Sequence, residues 1–193
     1  MKLVLASRNA HKLRELREAL DGAVELLPLP EAVELPPETG ETFMDNALVK
    51  ARAAARATGM ASLADDSGIE AAALDGRPGV RSARFAGEDA SDEQNLEKLL
   101  QSVPGDGDRR VQYVCALVYA TPDGGEQQFV GRCTGTLATE PRGDGGFGYD
   151  PAFVPDDYGD GRTMAELTPE EKHAISHRGR AAAALRDWLA AKR

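Results

Sequence analysis

The sequence predicts an α/β fold, and three observations carry that reading. Short apolar runs alternate with stretches of helical periodicity, cap and turn residues mark most of the junctions, and a hairpin signal lies in the second half. With 193 residues the chain has the length of one compact domain, 1–193, of radius about 16 Å. A chain of this size buries about 70% of the surface its unfolded form exposes, so it needs no disulfide or metal to fold.

Leu3 to Ala6 is a short apolar run that reads as a buried strand. From His11 to Leu20 the residues Leu13, Leu16, Ala19 and Leu20 recur at helical spacing, and Gly22 follows as a stop. Val24 to Leu29 reads as a second strand, and Pro28 to Pro37 as a loop, since proline lacks a donor and fixes φ. A helix from Phe43 to Thr58 takes Thr42 as N-cap, Asp45 as the third residue of a capping box and Gly59 as its stop. Ala61 to Ala64 reads as a strand that ends in Asp65-Asp66-Ser67-Gly68. Ser91 and Gln94 cap the next helix, whose apolar positions are Leu96, Leu99, Leu100 and Val103. Val111–Ala120 and Gln127–Leu137 read as strands joined by the turn Thr121–Gly125, which adds an antiparallel part to the sheet. Thr168-Pro169-Glu170-Glu171 opens a short helix. Ala181, Leu185, Trp188 and Leu189 form the apolar face of a last one.

Composition narrows the function. The hydrophobic fraction of 41% and charged fraction of 28% are ordinary for a globular chain. A net charge of −9 argues against a partner made of nucleic-acid polymer, which is held through phosphate neutralisation by Lys and Arg. It leaves room for a small anion, for which a few local cations suffice. Cys115 and Cys133 have neither C-x-x-C spacing nor a histidine cluster and read as core thiols of a reduced, cytoplasmic protein. The apolar run Val114–Ala120 is far below the roughly 20 residues of a membrane span, so no membrane role is expected.

Four segments carry possible chemistry. In Ser7-Arg8-Asn9-Ala10-His11-Lys12, cations crowd a helix start, where acidic side chains are the usual choice. Free N–H groups with added cations make a phosphate site; equally, Ser7 or Asn9 caps the helix and the cations are solvated. The carboxylates of Asp65 and Asp66 follow an apolar strand, suited to holding Mg²⁺ or activating water, or else forming an Asp-Ser-Gly turn. Glu41 is a further candidate ligand, or an acid serving the helix dipole. Asn46 and Lys50, four residues apart, share the face of the helix that follows.

The third segment is Pro141–Pro151, with four glycines around Phe147 and Tyr149. Its formal G-x-G-x-x-G is false, because Tyr149-Asp150-Pro151 cannot open the helix of a dinucleotide fold. Close backbone approach and aromatic faces suit a stacked base, against the alternative of aromatics returning to the core. Fourth, Lys172 and Ser176-His177-Arg178 gather cations near a second helix start, which a basic C-terminal helix would also explain. No glycine is followed directly by lysine, so a P-loop is excluded.

Together these stretches resemble the inosine triphosphate pyrophosphatases of the Ham1/RdgB type. The matching segments are Ala6–Lys12, Glu38-Thr39-Gly40-Glu41-Thr42-Phe43 through Lys50-Ala51, Ala64–Gly68, Pro78–Gly87, Pro141–Pro151 and Ser176–Gly179. The resemblance implies an elongated mixed sheet flanked by helices, two lobes with an active-site cleft between them, and usually a homodimer. It also implies Mg²⁺-dependent hydrolysis of ITP, dITP and XTP to monophosphate and pyrophosphate. By family motif, Asp66 is the proton acceptor for water attacking the α-phosphorus. Glu41 and Asp66 hold the metal with Asp65 in support. Ser7, Arg8, Asn9, Lys12, Lys50 and Ser67 contact the substrate, and Phe147, Gly148, Tyr149, Asp150, Lys172, His177 and Arg178 form the base and sugar pocket. Two positions depart from the family pattern: His173 stands where Asn is usual, and Asp45 where Glu is commoner. The rival readings are a less selective, Maf-like nucleotide pyrophosphatase and a nucleotide-binding module without turnover.

Overall fold

The computed structural model describes residues 1–20 and 22–192. In chain order the strands and helices are β1 (Lys2–Leu5), α1 (Ala10–Ala19), β2 (Glu25–Leu27), α2 (Phe43–Thr58), β3 (Ser62–Ala71), α3 (Asp92–Ser102), β4 (Arg110–Ala120), β5 (Glu126–Leu137), β6 (Phe153–Pro155), α4 (Pro169–Ile175) and α5 (His177–Ala190). The strands form one mixed sheet in the order β2-β1-β3-β4-β5-β6. β1 runs parallel to β2 and β3, and β6 is antiparallel to β5, so the sheet is mixed as the α/β reading expects, and the two strands expected to form a hairpin, β4 and β5, are neighbours in it. Parallel neighbours need a crossover, which α1 and α2 supply. No helix among the described residues is long and apolar enough to cross a membrane.

The local signals behave as their chemistry dictates. Thr42 accepts from the Asp45 N–H while the Asp45 side chain accepts from the Thr42 N–H, and Gly59 ends α2 in the left-handed region at φ 65°. Ser91 with Gln94 and Thr168 with Glu171 form the same reciprocal boxes on α3 and α4. β2 is shorter than its apolar run, stopping at Leu27 before Pro28 and Pro30.

The chain divides into two compact units. The first, Met1–Asp66 with Cys115–Gly131 and His177–Arg193, has a core of Leu3, Leu5, Leu16, Leu20, Leu63, Leu117 and Leu185, among others. Within it α5 lies close on β5 at Gly131, where a Cβ would run into the carbonyl of His177 and sit 2.7 Å from the Ala181 nitrogen. Trp188 packs against Tyr119 and Phe129, with ring centroids 5.2 and 5.9 Å apart. Burying one such leucine contributes about 1.5–3 kcal/mol, so α5 is held mainly by its apolar face. The second unit, Ser67–Val114 with Arg132–Ser176, has its own core around Ile69, Leu99, Val111, Cys133, Phe153 and Met164.

β3 differs most from its sequence reading. β3 does not end at the acidic pair; it continues through Asp65, Asp66, Ser67 and Gly68 to Ala71. The Asp-Ser-Gly turn does not form, because the carboxylates bond cations and an amide rather than their own backbone. Further along the strand, the Ile69 N–H donates to the Ser82 hydroxyl (2.9 Å), and Ile69 is buried. Gly68 is needed there for space: a Cβ would overlap the Ser82 hydroxyl and lie 2.7 Å from the Gly79 carbonyl.

Candidate active site

The first unit brings together most of the residues expected to handle phosphate. β1 ends at Leu5 and the chain turns into α1, whose first turn holds no acidic residue. Asn9 is the N-cap, its Oδ1 accepting from the backbone N–H groups of His11 (2.9 Å) and Lys12 (3.1 Å). Two of the N–H groups expected to be free are therefore occupied, and the site's positive character rests on side chains. Arg8 donates to the carbonyls of Glu31 (3.0 Å) and Val33 (2.8 Å), which ties the proline-rich loop to this corner. Ser7 and Arg8 line a cavity of about 450 Å³ together with Glu38 and Lys50.

Asp65 is fully buried, and its carboxylate is fully engaged. Lys12 pairs with Oδ1, while Oδ2 accepts from Arg178 Nε (3.0 Å) and from the Cys115 thiol (3.1 Å). Burial alone would suppress its ionisation, but Arg178 and Lys12 outweigh that and hold the carboxyl well below its usual range. Arg178 also bonds Glu15, a buried acid of α1. Burial works against the charge of Arg178, yet Asp65 and Glu15 push its pKa upward. The Cys115 thiol is pushed far upward by burial and by the neighbouring Asp65.

Asp66 has different surroundings. Its side chain is 8% exposed, and Oδ2 accepts from Asn46 Nδ2 (3.0 Å) while Oδ1 lies 3.5 Å from Lys50 Nζ. Lys50 also bonds Glu38 (2.5 Å) and the Asp65 carbonyl (2.9 Å). Burial raises the Asp66 pKa against the pull of Lys50, and the nearby charge of Glu38 adds to the rise. Adjacent carboxylates are thus separated in character: Asp65 is a fixed anion, Asp66 a more basic one. Lys50 loses by desolvation but is raised overall by Asp66 and Glu38. Glu41 is exposed, one residue before the Thr42 cap.

No group of three or more His, Cys, Asp or Glu suited to a metal occurs among the described residues. Asp66 and Glu41 are hard oxygen donors of the kind that would hold Mg²⁺, which takes one or two carboxylates and completes its shell with phosphate oxygens and water.

In the second unit the Pro141–Pro151 loop is organised around Asp150. Its buried carboxylate accepts from the Phe147 N–H (2.9 Å), Lys172 Nζ (2.7 Å) and the Tyr113 hydroxyl (3.1 Å). Lys172 lies 5.2 Å from the centroid of the Phe147 ring, and Phe147 itself is half-buried. Tyr149 is buried and donates to the Ser82 carbonyl (2.7 Å), while the Gly148 N–H donates to Asp92 (2.9 Å). Of the expected pocket residues, Phe147, Gly148, Tyr149, Asp150 and Lys172 therefore cluster here. His177 and Arg178 belong to the first unit, where His177 opens α5. Ser67 is half-buried on β3.

Sequence reasoning gave no role to Glu15, Glu38 or Asp92. Glu15 had a signal, since it follows Lys12 by three positions and adjoins Leu16 of the apolar stripe. Glu38 and Asp92 find partners 12 and 56 residues away, which no local pattern announces.

A mixed α/β sheet that carries paired carboxylates on a central strand, beside a cation-rich loop and helix start, defines a phosphate-handling protein. The comparisons then place it: the chain belongs to the Ham1 family, whose profile matches residues 3–188. It is 55% identical to a dITP/XTP pyrophosphatase of Mycobacterium tuberculosis, across 95% of this chain and 93% of that one. It is 50% identical to a dITP/XTP pyrophosphatase of Cutibacterium acnes, across 95% and 94%. Among solved structures, a Ham1 protein from Coxiella burnetii superposes with a TM-score of 0.89 at 42% identity, covering 99% of both chains. The Ham1 protein of Staphylococcus aureus gives 0.88 at 39%, covering 100% of both.

Proposed function

We propose that this protein hydrolyses dITP, ITP and XTP to the nucleoside monophosphate and pyrophosphate, with Asp66 as general base, residues 1–193 acting as a single catalytic domain. The observation that carries the reading is the contrast between the two carboxylates. Asp65 is locked by Lys12, Arg178 and Cys115, whereas Asp66 is made more basic by burial and touches Lys50, which lines the cavity. A base of this kind suits proton removal from water near neutral pH.

In this reading the triphosphate meets Ser7, Arg8, Asn9, Lys12 and Lys50, and Ser67 follows the base along β3. Four negative charges on a triphosphate make positioning and charge stabilisation the main catalytic terms. Asp66 orients and deprotonates the water that attacks the α-phosphorus, and Lys50 steadies the charge on Asp66. Glu41 and Asp66 would hold Mg²⁺, which when bound offsets charge on the phosphates and the leaving pyrophosphate. Asp65 supports that pair from behind, anchoring Lys12 through one oxygen and Arg178 through the other. Phe147 offers a face to the base, and Asp150 shapes the loop from within through its bonds to Phe147 and Lys172. His177 would read the oxygen at the six position of the purine, where adenine carries an amine. A homodimer acting in the cytoplasm on the free nucleotide pool completes the reading.

The test is product analysis with purified protein and Mg²⁺, offering ITP, dITP, XTP, GTP, ATP and TTP in parallel. Monophosphate plus pyrophosphate from ITP, dITP and XTP, with GTP and ATP nearly untouched, is the expected result. Orthophosphate as the product would move attack to the γ-phosphorus and overturn the mechanism. Cleavage of pyrimidine nucleotides alone would favour the Maf-like reading, and tight binding without turnover the binding module.

A further inference from the structure

Asn46 is 3% exposed in α2, and its amide makes two hydrogen bonds of defined polarity. The Gly40 N–H donates to Oδ1 (2.7 Å), and Nδ2 donates to Asp66 Oδ2 (3.0 Å). A backbone N–H can only donate, so Gly40 fixes which end of the amide is the oxygen. The Nδ2 end is thereby directed at Asp66. We propose that Asn46 is a positioning residue for the reaction, an oriented amide that ties the Glu38–Glu41 loop to the Asp66 carboxylate and sets the direction in which Asp66 faces its water. The inference rests on the assignment of Asp66 as base.

Three observations separate this role from an ordinary buried amide. Asn46 is not needed to cap α2, because Thr42 and Asp45 already satisfy each other's N–H groups. Gly40 leaves no slack: a Cβ there would lie 2.7 Å from Asn46 Oδ1 and 2.7 Å from the Asp45 Cβ. The two oxygens of Asp66 are also divided, Oδ2 toward Asn46 and Oδ1 toward Lys50, so the carboxylate is gripped from two positions on one helix face. An amide buried for packing alone is expensive unless bonded, and an apolar side chain of similar volume would fill the same space.

The experiment measures steady-state turnover of dITP, melting temperature and Mn²⁺ affinity (by the electron paramagnetic signal of the free ion) for the full chain and for Asn46→Asp and Asn46→Ala. Asn46→Asp keeps an acceptor for Gly40 and removes the donor to Asp66; Asn46→Ala removes both. The expected result is a fall in kcat of about 10- to 100-fold with KM within about threefold, in a protein that melts within a few degrees of the parent. Mn²⁺ affinity of Asn46→Ala falls by about tenfold on the same grounds. If kcat stays within about threefold of the parent in either folded variant, the proposal is overturned. Loss of folding in both variants, or a rise in KM with kcat unchanged, would also overturn it by making the amide structural or substrate-binding. Asp66→Asn run alongside separates the two ideas: if it too retains turnover, the base assignment has failed rather than the role of Asn46.

Discussion

Asp65 Oδ2 and Arg178 Nε, 113 residues apart in the chain, meet at 3.0 Å where neither side chain has more than 3% of its surface exposed. Removing Asp65 takes a buried countercharge from two cations at once, Lys12 and Arg178, although Arg178 keeps Glu15. Asp65→Asn is expected to destabilise the protein by about 3–5 kcal/mol at pH 7, read from chemical denaturation. The sign with pH follows from the depressed native value. The stabilisation is fully present above the ordinary carboxyl value of 3.8 and is lost as pH falls through the lower native one. The difference between parent and variant should thus stay constant from about pH 5 to 8 and shrink only in strong acid. A difference that varied between pH 6 and 8 would contradict the ion-pair assignment.

Asp66→Asn keeps the volume and leaves an acceptor for Asn46 while removing the base. Turnover of dITP should fall by about a thousandfold or more, with the far-ultraviolet spectrum unchanged. Near-normal turnover in the variant would refute the assignment.

Lys12 pairs with Asp65 and, in the proposed reading, also meets the arriving polyanion. Lys12→Ala should raise KM for dITP by about tenfold or more through the lost charged contact. It should also lower the melting temperature, because Asp65 loses the cation paired with its Oδ1. A KM effect with an unchanged melting temperature would show that the Lys12–Asp65 pair contributes nothing to the fold.

Cys115 is buried beside an anion, and its thiol is held far above the ordinary range by burial and Asp65. Alkylating and disulfide reagents need the thiolate. In the native protein at pH 8 Cys115 should therefore resist labelling followed by mass spectrometry, and react promptly in guanidinium. Prompt native labelling would mean that the Asp65 site opens readily to solvent.

Gly131 marks the closest approach of α5 to β5. A methyl group there has the His177 carbonyl in its way, backbone that cannot rotate aside. Gly131→Ala should cost about 1–3 kcal/mol or more, seen as an earlier denaturation midpoint. An unchanged midpoint would show that α5 slides freely on the strand.

The sequence was most informative where the physics is local. Thr42 with Asp45, Ser91 with Gln94 and Thr168 with Glu171 mark three helix starts because each cap is completed within four residues. The acidic pair stood out as a candidate site, but the strand runs on through it, since Lys12 and Arg178, both remote in sequence, balance Asp65 inside β3. Arg178 illustrates the same limit from the other side. Its motif marked it as functional, but only the tertiary structure shows that it is held between Asp65 and Glu15. The Asn9 cap was among the readings that spacing left open, and geometry alone decides for it.

The buried cluster of Lys12, Glu15, Asp65, Cys115 and Arg178 has a consequence for synthesis. Its members come from four separate stretches of the chain, α1, β3, β4 and α5, with Glu15 and Arg178 163 residues apart. Until Arg178 is made, Glu15 and Asp65 wait with Lys12 as their sole cation in this cluster. A nascent or truncated chain that stops short of α5 thus carries the acidic pair on β3 yet cannot pack it. The corner that holds the acidic pair is therefore assembled only once α5 is in place.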